Sequence, residues 1–378
     1  MEHRPAEAGP SSGIRGKAGD PAVAGRTAVG LDIGTSGVRA AELSFGKGVF
    51  TLQRFGQVAL PAGAVRDGEV VDTAAVAAAL KQLWAQARFS SKRVVVGVAN
   101  QKVVVRQVDL PWLPTDELKK SLPFQVQDYI PIPVEQAILD YHPIEELVDD
   151  NGVRTLRVLL VAAARDMVTS MLDAVTRSGL DPVMVDLTPF AVLRSLAAVE
   201  EVGMSGVPAE AIVEVGASVT NIVVHQGGVP RFVRILLMGG GDVTEAVADR
   251  MGVPLEHAES VKQQMGMLGV AAGGPDTHPA GRVIESTGVA FVEEVRGSLD
   301  YYLAQQGAAR LRRVLLTGGG SRLAGLAERL SAVTRLPVET ATPMGTLKIG
   351  KTGLSSDQLN YVEPLVAVPV GLAMGVAS

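Results

Sequence analysis

The sequence predicts an α/β protein made of two related halves. Short β-branched strands alternate with helical segments along the chain. The stretch AVGLDIGTSGVRAAEL places an acid and a glycine-rich bend between two strands. The same order returns in AIVEVGASVTNIVVHQ, where the acid lies 182 positions later (214 − 32). A spacing of this size indicates a duplicated half-molecule rather than a short repeat.

Composition excludes several classes of function. The chain has 378 residues, 47% of them hydrophobic, so it is long enough for two or three domains. There is no cysteine, which excludes disulfides, thiolate zinc sites and cysteine nucleophiles. The net charge of −5 gives no reason to expect nucleic acid as a partner. Residues 1–26 lack an apolar core of a signal peptide and are expected to form a disordered tail on a cytoplasmic protein.

The first half is expected to open with three strands, at Ala28–Ile33, Val38–Phe45 and about Phe50–Ala59, joined by glycine turns. A helix over DTAAVAAALKQLWAQA and the strands RVVVGVA and KVVVRQVDL follow. A capping-box pattern at Thr115 predicts the start of the next helix, with a kink or break at Pro123. RVLLVAAA is then a strand, RDMVTSMLDAVTRSGL a helix, and PVMVDLTPF a strand that runs into a helix.

The second half repeats this order. After its hairpin, LLMGGGDVTEAVADRMG predicts a strand, a glycine bend and a helix. Residues 255–310 are expected to be helical, interrupted by the loop GVAAGGPDTHPAGR. RRVLLTGGGSRLAGLAERL is again a strand, a triple glycine and a helix, and a last short helix is expected around Leu365–Met374.

The two hairpin bends are candidate phosphate sites. Glycines allow a tight turn whose successive N–H groups converge on one spot, which suits an anion. An acid there would repel a bare phosphate, and it fits best if a cation such as Mg²⁺ lies between them. The bends correspond position by position, Glu214 to Asp32, Gly216 to Gly34 and Ser218 to Ser36. One such bend alone could be an ordinary hairpin turn, but its repetition in both halves favours a ligand site.

A third glycine run, in LLTGGGSRL, places Gly318–Gly320 at the end of a strand. Ligands bind at this end of the strands in α/β sheets. The run matches neither G-x-G-x-x-G nor G-x-x-x-x-G-K-[ST], so Rossmann and P-loop sites are excluded. The alternative is a plain turn in which Ser321 caps the following helix.

The order of these parts resembles the actin-like ATPase superfamily, over roughly residues 28–378. GLDIGTSGVRA is similar to its first phosphate bend, VEVGASVTNIV to its second, and LLTGGGSRLAGL to its adenosine bend. DLTPFAVLRSLA and EPLVAVPVGLAMG resemble its two connecting helices. Within the superfamily, LPFQVQDYIPIPVEQAILDYHPI and GGGDVTEAVADRMGVPLEHAESVKQQMG resemble segments of the PilM family of type IV pilus assembly.

The resemblance implies an actin-like (ribonuclease H-like) two-domain α/β fold with central mixed sheets flanked by helices, and an extra α+β subdomain in the first half. The implied domains are a first half over 27–206, with the inserted subdomain at about 93–183, and a second half over 207–378. A closing helix at about 362–378 is expected to pack back onto the first half.

The resemblance also implies that ATP and Mg²⁺ bind between the halves. Asp32 would ligate Mg²⁺ directly or through water. The residues that would hold the nucleotide are Gly34, Thr35, Ser36 and Gly37 in the first bend, Glu214, Gly216 and Ser218 in the second, and Gly318, Gly319, Gly320 and Ser321 at the adenosine. Glu259 and Lys262 would reach the ribose or the adenine edge, unless they form a solvated pair one turn apart on a helix.

Two departures from the family pattern concern catalysis. The second bend usually begins with Asp, and here it begins with Glu214. Several relatives place a carboxylate or an amide before the proline of DLTPFA to orient the attacking water, and here that residue is Thr188. Threonine is not a general base at neutral pH without help. Asp186, two residues earlier, is the candidate substitute, and we expect nucleotide binding with at most weak ATPase activity.

By resemblance, the partner is the short N-terminal cytoplasmic tail of PilN, a single-span membrane protein, which couples this protein to the PilN–PilO complex. The protein would then be peripheral to the inner face of the cell membrane. SLPFQVQDYIPIP brings together Leu122, Phe124, Val126, Tyr129 and Ile130, which are candidate partner contacts. They could also form the core of the inserted subdomain.

Two other functions in the superfamily are alternatives, an FtsA- or MreB-like cytoskeletal or division protein and a small-molecule kinase. A kinase needs a carboxylate base beside the acceptor hydroxyl, and no candidate has supporting context. FtsA-like chains end in a basic amphipathic helix, whereas no Lys or Arg follows Lys351. Membrane contact is therefore expected only through the partner, with self-association and other pilus proteins left open.

Overall fold

The structure is a computed structural model that describes residues 4–5, 27–197, 207–267 and 278–376. Nearly all of the expected tail at 1–26 lies outside the described residues, as does most of the loop GVAAGGPDTHPAGR.

The strands alternate with the helices much as the sequence pattern predicts. The strands are β1 Arg4–Pro5, β2 Thr27–Ile33, β3 Gly37–Gly46, β4 Val49–Ala59, β5 Val65–Arg66, β6 Glu69–Val70, β7 Arg93–Val98, β8 Val103–Pro111, β9 Ala137–Val148, β10 Arg154–Ala164, β11 Asp181–Leu187, β12 Ala209–Val215, β13 Thr220–Gln226, β14 Val229–Leu236, β15 Leu311–Thr317, β16 Val338–Thr340 and β17 Lys348–Ile349. The helices are α1 Thr73–Ala87, α2 Thr115–Gln125, α3 Arg165–Arg177, α4 Thr188–Leu196, α5 Gly240–Met251, α6 Leu255–Met265, α7 Pro279–Leu303, α8 Leu326–Thr334, α9 Ser356–Val362 and α10 Ala367–Met374.

The two main sheets have the same topology, which confirms the duplicated mixed α/β fold. The first has the order β11-β7-β2-β3-β4, with β17 added at its edge, and the second has the order β16-β15-β12-β13-β14. In each, a hairpin and a third antiparallel strand (β2-β3-β4 or β12-β13-β14) are extended by two parallel strands. Each sheet therefore presents its hairpin bend and the ends of its parallel strands in equivalent places.

A third sheet, with the order β1-β9-β10-β8, is inserted in the first half. Strands β8, β9 and β10 come from the chain between β7 and β11, which both lie in the first main sheet, whereas β1 pairs with the edge strand β9 from near the start of the chain. Helix α2 packs on this sheet through buried Leu118 and Leu122. The domain limits at 93, 183 and 206 remain predictions.

Helix α2 differs from its sequence prediction at both ends. Its N-cap residue is Pro114, which makes no side-chain cap, so the capping box expected at Thr115 is wrong. The helix continues through Pro123 and ends two residues later at Gln125, followed by a short 3₁₀ turn. Pro123 has no N–H to donate to the Lys119 carbonyl, so the last turn of α2 lacks that hydrogen bond, and the helix ends two residues later.

The connecting helices α4 and α10 cross at close range between the two main sheets. A Cβ added to Gly371 would lie 1.7 Å from the carbonyl oxygen of Ala191, and one added to Gly30 would lie 2.0 Å from that of Pro369. Helix α10 thus contacts β2 and β3, whereas α4 contacts β13. One helix of each half therefore packs against the main sheet of the other half, and these contacts hold the two hairpin bends near one another.

Candidate functional site

The two hairpin bends have the same backbone geometry. In the first, the Gly34 N–H donates to the Gly37 carbonyl at 3.0 Å. In the second, the Gly216 N–H donates to the Val219 carbonyl at 2.9 Å. These are equivalent positions, so the correspondence read from the sequence extends to the hydrogen bond that closes each turn.

Both bends are packed too tightly for a larger residue at their key glycines. A Cβ on Gly37 would lie 2.6 Å from the Val58 carbonyl oxygen, and a Cβ on Gly216 would lie 2.5 Å from that of Val219. At the tip of the first bend Thr35 is half-buried and Ser36 is exposed, whereas Ser218 in the second bend is half-buried. The hydroxyls at both tips therefore remain accessible as hydrogen-bond donors.

Each bend begins with an acid that is bound by its neighbour on the paired strand. Asp32 lies opposite Arg39 in the β2–β3 ladder, and its carboxylate is 3.5 Å from the guanidinium. Glu214 lies opposite Asn221 in the β12–β13 ladder and accepts a hydrogen bond of 2.7 Å from its amide. Arg39 also donates to the Ser36 hydroxyl at 3.2 Å. The acid and its cross-strand partner are therefore a second duplicated feature.

Both acids have raised pKa values. Burial above all, together with the nearby charge of Asp32, raises the pKa of Glu214 to about 7 against the opposing effects of the Asn221 hydrogen bond and of Arg39. Burial also raises the pKa of Asp32, and Arg39 opposes that rise. A carboxyl with a pKa near 7 exchanges its proton easily at neutral pH, and an added cation would favour its ionised form.

The third glycine run lies directly against the second bend. Gly318 has φ +86°, and a Cβ there would lie 2.4 Å from the Val215 carbonyl oxygen and 2.8 Å from Oε1 of Glu214. A Cβ on Gly320 would lie 2.5 Å from the Val215 side chain. Gly319 is exposed, so this corner presents backbone rather than side chains to the space beside Glu214.

Ser321 does not cap a helix. Its hydroxyl donates to the Gly318 carbonyl at 2.6 Å inside a short 3₁₀ turn, Gly319–Arg322. The next helix, α8, begins only at Leu326 and has Gly325 at its N-cap. The alternative in which Ser321 caps the helix is therefore wrong, because the 3₁₀ turn separates the glycine corner from α8.

Lys262 and Glu259 belong to a network beside the same corner. The Lys262 ammonium is buried and donates to the Gly240 carbonyl and the Thr244 hydroxyl, each at 2.9 Å, and to Glu259 at 2.6 Å. A Cβ on Gly240 would lie 3.3 Å from Cα of Gly320. Burial alone would raise the pKa of Glu259, but hydrogen bonds from Lys262, Thr244 and Gln263 lower it. The alternative pair one turn apart on a helix does form, but only its Glu259 side is solvated, since the ammonium is buried; contact with the ribose or the adenine edge remains a prediction.

Two buried polar atoms of the site have hydrogen-bonding capacity that no described residue uses. The Nε of Arg39 and the Oδ1 of Asn221 are buried, and neither has a hydrogen-bond partner among the described residues. Buried polar groups are nearly always paired, by protein, water or ligand. The Arg39 N–H beside the first bend could donate to a phosphate oxygen. The Asn221 carbonyl oxygen beside the second bend could accept from a metal-bound water.

Asp186 and Thr188 lie where β11 ends and α4 begins. The buried Asp186 carboxylate forms an ion pair with Arg194 and accepts the Leu187 N–H at 2.8 Å. Arg194 also donates to the Gly371 carbonyl at 3.0 Å, so this pair ties β11 to α4 and α10. A Cβ on Gly97 would lie 2.8 Å from the Thr188 hydroxyl. This arrangement favours a structural role for Asp186, and a role for Asp186 or Thr188 in catalysis remains a prediction.

The candidate partner residues divide into two groups. Leu122, Val126 and Ile130 are buried in the core of the inserted subdomain. Phe124 is 79% exposed and Tyr129 is 40% exposed, so they are available to a partner. The division follows from helical geometry, because Leu122 and Val126 are four residues apart on one face and Phe124 lies on the other.

Sequence reasoning missed three residues of the site, Arg39, Asn221 and Thr244. The first two could have been found, because a hairpin register pairs Asp32 with Arg39 and Glu214 with Asn221. Thr244 meets Glu259 and Lys262 only through the packing of α5 on α6, which no local pattern predicts.

Among the residues that the structure describes, no group of three or more acidic, histidine or cysteine side chains could hold a metal ion. Mg²⁺ commonly binds through one or two carboxylates together with substrate phosphates, so Asp32 and Glu214 fit it only with a phosphate ligand present.

No helix of the described ranges has the length and apolar character needed to cross a membrane.

Comparison with known proteins gives a family and a fold. The profile of the family described as "Type IV pilus assembly protein PilM" matches residues 30–376. Among solved structures, a PilM–PilN type IV pilus biogenesis complex is 30% identical, with a TM-score of 0.81, and the match covers 92% of this chain and 98% of that one. The ethanolamine utilization protein EutJ of Carboxydothermus hydrogenoformans has a TM-score of 0.53 at 16% identity, covering 92% and 89%. These similarities confirm the actin-like fold predicted from the sequence.

Curated relatives are more distant. Cell division protein FtsA of Bacillus subtilis is 24% identical over 262 residues, which is 63% of this chain and 58% of that protein. FtsA of Neisseria meningitidis is 26% identical over 246 residues, 57% of each. The matches thus span less than three fifths of the length of these two relatives.

Proposed function

This chain belongs to the PilM family of type IV pilus assembly proteins, and from that membership we propose that it binds ATP with Mg²⁺ and the cytoplasmic tail of PilN. In this role it links its nucleotide state to the PilN–PilO complex at the inner face of the cell membrane. The observation that supports it best is the pair of matched bends, each with its acid bound by a cross-strand partner.

The residues of the cleft fit such a ligand. Asp32 and Glu214 would hold Mg²⁺ together with the ATP phosphates, and the cation would supply positive charge that offsets the negative charge of both. The bends at 34–37 and 216–218 would hold the phosphates, with the Arg39 Nε as a further donor. The backbone of Gly318–Ser321 would approach the adenosine, and Lys262 keeps α6 beside it.

We expect hydrolysis to be slow or absent. A general base must reach the attacking water and take its proton, whereas Asp186 is held by Arg194 and Thr188 is not basic. The same arrangement gives no support to the small-molecule kinase alternative. The protein would then act through nucleotide-dependent binding, with at most weak ATPase activity.

The PilN tail is assigned as partner from the likeness to the solved PilM–PilN complex. The exposed Phe124 and Tyr129 form a candidate contact surface on the inserted subdomain, over a core that includes Leu122 and Ile130. Aromatic side chains of this kind are favoured anchors in protein interfaces. The inserted subdomain would thus be the part of the first half that the partner contacts.

Isothermal titration tests both parts of the proposal. Mg-ATP should bind with one site per chain, and Asp32→Asn should remove the Mg²⁺ dependence of that binding. Asp166→Asn, an exposed acid outside the cleft, is the matched control and should leave it unchanged. A peptide of the PilN cytoplasmic tail should bind the wild type and fail with Phe124→Ser. Absence of any ATP binding would refute the nucleotide assignment, and absence of peptide binding at high micromolar concentration would refute the partner.

A further inference from the structure

Strand β9 lies toward one edge of the inserted sheet, where β1 (Arg4–Pro5) is the outermost strand. Unpaired N–H and C=O groups along a sheet edge are a ready template for another strand. Strand β1 pairs antiparallel with β9 at two positions, Arg4 opposite Glu146 and Pro5 opposite Glu145. The added strand therefore comes from near the start of the same chain and covers one end of a strand that is 12 residues long.

Two prolines limit how far this pairing can extend. Pro5 has no N–H to donate to β9. Along the antiparallel register, the chain after Pro5 would run toward Pro143 of β9, which also lacks an N–H, and the β9–β10 ladder has a bulge at this point. Prolines and bulges are features that end strand pairing at a sheet edge. On this side of Pro143, the part of β9 that can accept a strand is the stretch from Glu145 to Val148, which we call the acceptor edge.

The acceptor edge and the turn after it are acidic. Residues 145–150 read EELVDD, with four acids and no basic residue. Arginines of β10 pair with Glu145 and Glu146 and offset part of this charge. Edge-to-edge pairing with a second copy would set glutamate against glutamate, and like charges directly opposite one another destabilise a sheet. A basic residue opposite Glu146, which is where the register places Arg4, is instead favourable.

We propose that the acceptor edge is a strand-addition site for an extended basic segment, and that the N-terminal segment around Arg4–Pro5 of this chain occupies it. A ladder of two residue pairs gives only weak binding between separate molecules. Residues 6–26 join this segment to β2, so its pairing is intramolecular, with an effective concentration on the order of millimolar. The segment acts as an internal strap that fills the acceptor edge and excludes extended peptides from other molecules. This inference does not depend on the nucleotide or the partner proposed above.

Competition between the strap and a free copy of it tests the proposal. A fluorescently labelled peptide of residues 1–18 is titrated, by anisotropy, with the wild-type chain and with the full chain carrying Arg4→Glu. The substitution sets an acid opposite Glu146 and should release the strap, so the peptide should bind this variant roughly 10-fold more tightly than the wild type. Arg15→Glu in the full chain makes the same change of charge outside the pair and should match the wild type. A chain that lacks residues 1–18 should bind the peptide as the Arg4→Glu chain does.

Substitutions in the peptide test the register. Arg4→Glu in the labelled peptide should weaken its binding to the chain that lacks residues 1–18 by roughly 3- to 10-fold. Arg15→Glu in the peptide gives the same net charge and should leave the affinity unchanged.

Hydrogen exchange gives an independent readout in the full-length protein. Amides within 145–148 should exchange faster in the Arg4→Glu chain than in the wild type, because the strap no longer pairs with them. Amides of residues 138–142, on the other side of Pro143, are the internal control and should be unchanged.

Three outcomes would overturn the inference. Equal peptide affinity of the wild type and the Arg4→Glu chain, or unchanged exchange at 145–148, would show that the segment does not cover the edge. Equal weakening by Arg4→Glu and Arg15→Glu in the peptide would indicate a general attraction of charges rather than strand addition in this register. Absence of peptide binding to the chain that lacks residues 1–18, at millimolar concentration, would refute the site itself.

Discussion

Glu214 should make the nucleotide-free protein less stable as the pH rises, and replacing it with Gln should abolish this effect. Its side chain is buried in the cleft, and its pKa is raised from 4.5 to about 7. The protonated form is thus favoured in the folded state. Below pH 4.5 the group is protonated in both states and costs nothing. Between pH 4.5 and 7 the unfolded chain releases the proton first, so the free energy of unfolding falls.

The size of the effect follows from the shift. A difference of 2.5 pKa units between 7 and 4.5 corresponds to about 3 kcal/mol of unfolding free energy at pH 8. Gln has the same shape and carries no charge, and its carbonyl can still accept from the Asn221 amide. We therefore expect Glu214→Gln to match the wild type near pH 5 and to be more stable by about 3 kcal/mol at pH 8.

Urea denaturation of the nucleotide-free protein at pH 5 and pH 8 measures this difference. Glu256→Gln, at an exposed position on α6, is the control and should keep the same difference from the wild type at both pH values. Adding Mg-ATP to the wild type should flatten its pH dependence, because a cation beside Glu214 favours the ionised form. An equal pH dependence in wild type and Glu214→Gln would refute the reasoning.

Three further predictions concern the helices, the ion pair and the partner surface. Gly371→Ala should destabilise the protein by about 3 kcal/mol or more in urea denaturation, because the new Cβ would meet the Ala191 carbonyl oxygen at 1.7 Å. The control Gly297→Ala, where nothing lies within 4 Å, should instead stabilise the protein by up to about 1 kcal/mol. Equal effects of the two substitutions would contradict the close packing of α4 on α10. Asp186→Asn should lower the thermal midpoint of unfolding, because it leaves Arg194 unpaired. Any slow release of phosphate from ATP should stay unchanged. Loss of ATP turnover at unchanged stability would instead indicate a catalytic Asp186. Leu122→Ala should lower the free energy of unfolding by about 2–5 kcal/mol, because this leucine is buried. Phe124→Ser should change the free energy of unfolding by no more than about 0.5 kcal/mol and should abolish binding of the PilN peptide. The opposite pattern would contradict the assigned surface.

Much of this site could be predicted because it is encoded locally. An acid, two glycines and two small hydroxyl residues on a hairpin bend form a short pattern, and its second copy around Glu214 identified the duplication. The correspondence of Gly216 with Gly34 is predicted by this pattern, and the structure adds the hydrogen bond that closes each turn. Strand positions were also predictable, since β-branched runs between glycine turns leave few alternatives.

What the sequence does not predict depends on how one element packs on another. The pairing of Asp186 with Arg194 requires the second turn of α4 to lie beside the end of β11, and the burial of Lys262 requires α6 to pack on the start of α5. A strand, three glycines and a serine often lead directly into a helix, so the sequence alone allows Ser321 as a helix cap, whereas in the structure a 3₁₀ turn comes between. The guanidinium carbon of Arg322 lies 4.2 Å from the centre of the Tyr361 ring, a contact between positions that no spacing rule connects.

The most direct test of the central claim is a crystal structure of the protein with Mg²⁺ and a non-hydrolysable ATP analogue. We predict one nucleotide per chain, with its phosphates between residues 34–37 and 216–218 and its base on the side of Gly318–Arg322. Phosphates bound to only one of the two bends, or a nucleotide bound away from both, would contradict the account.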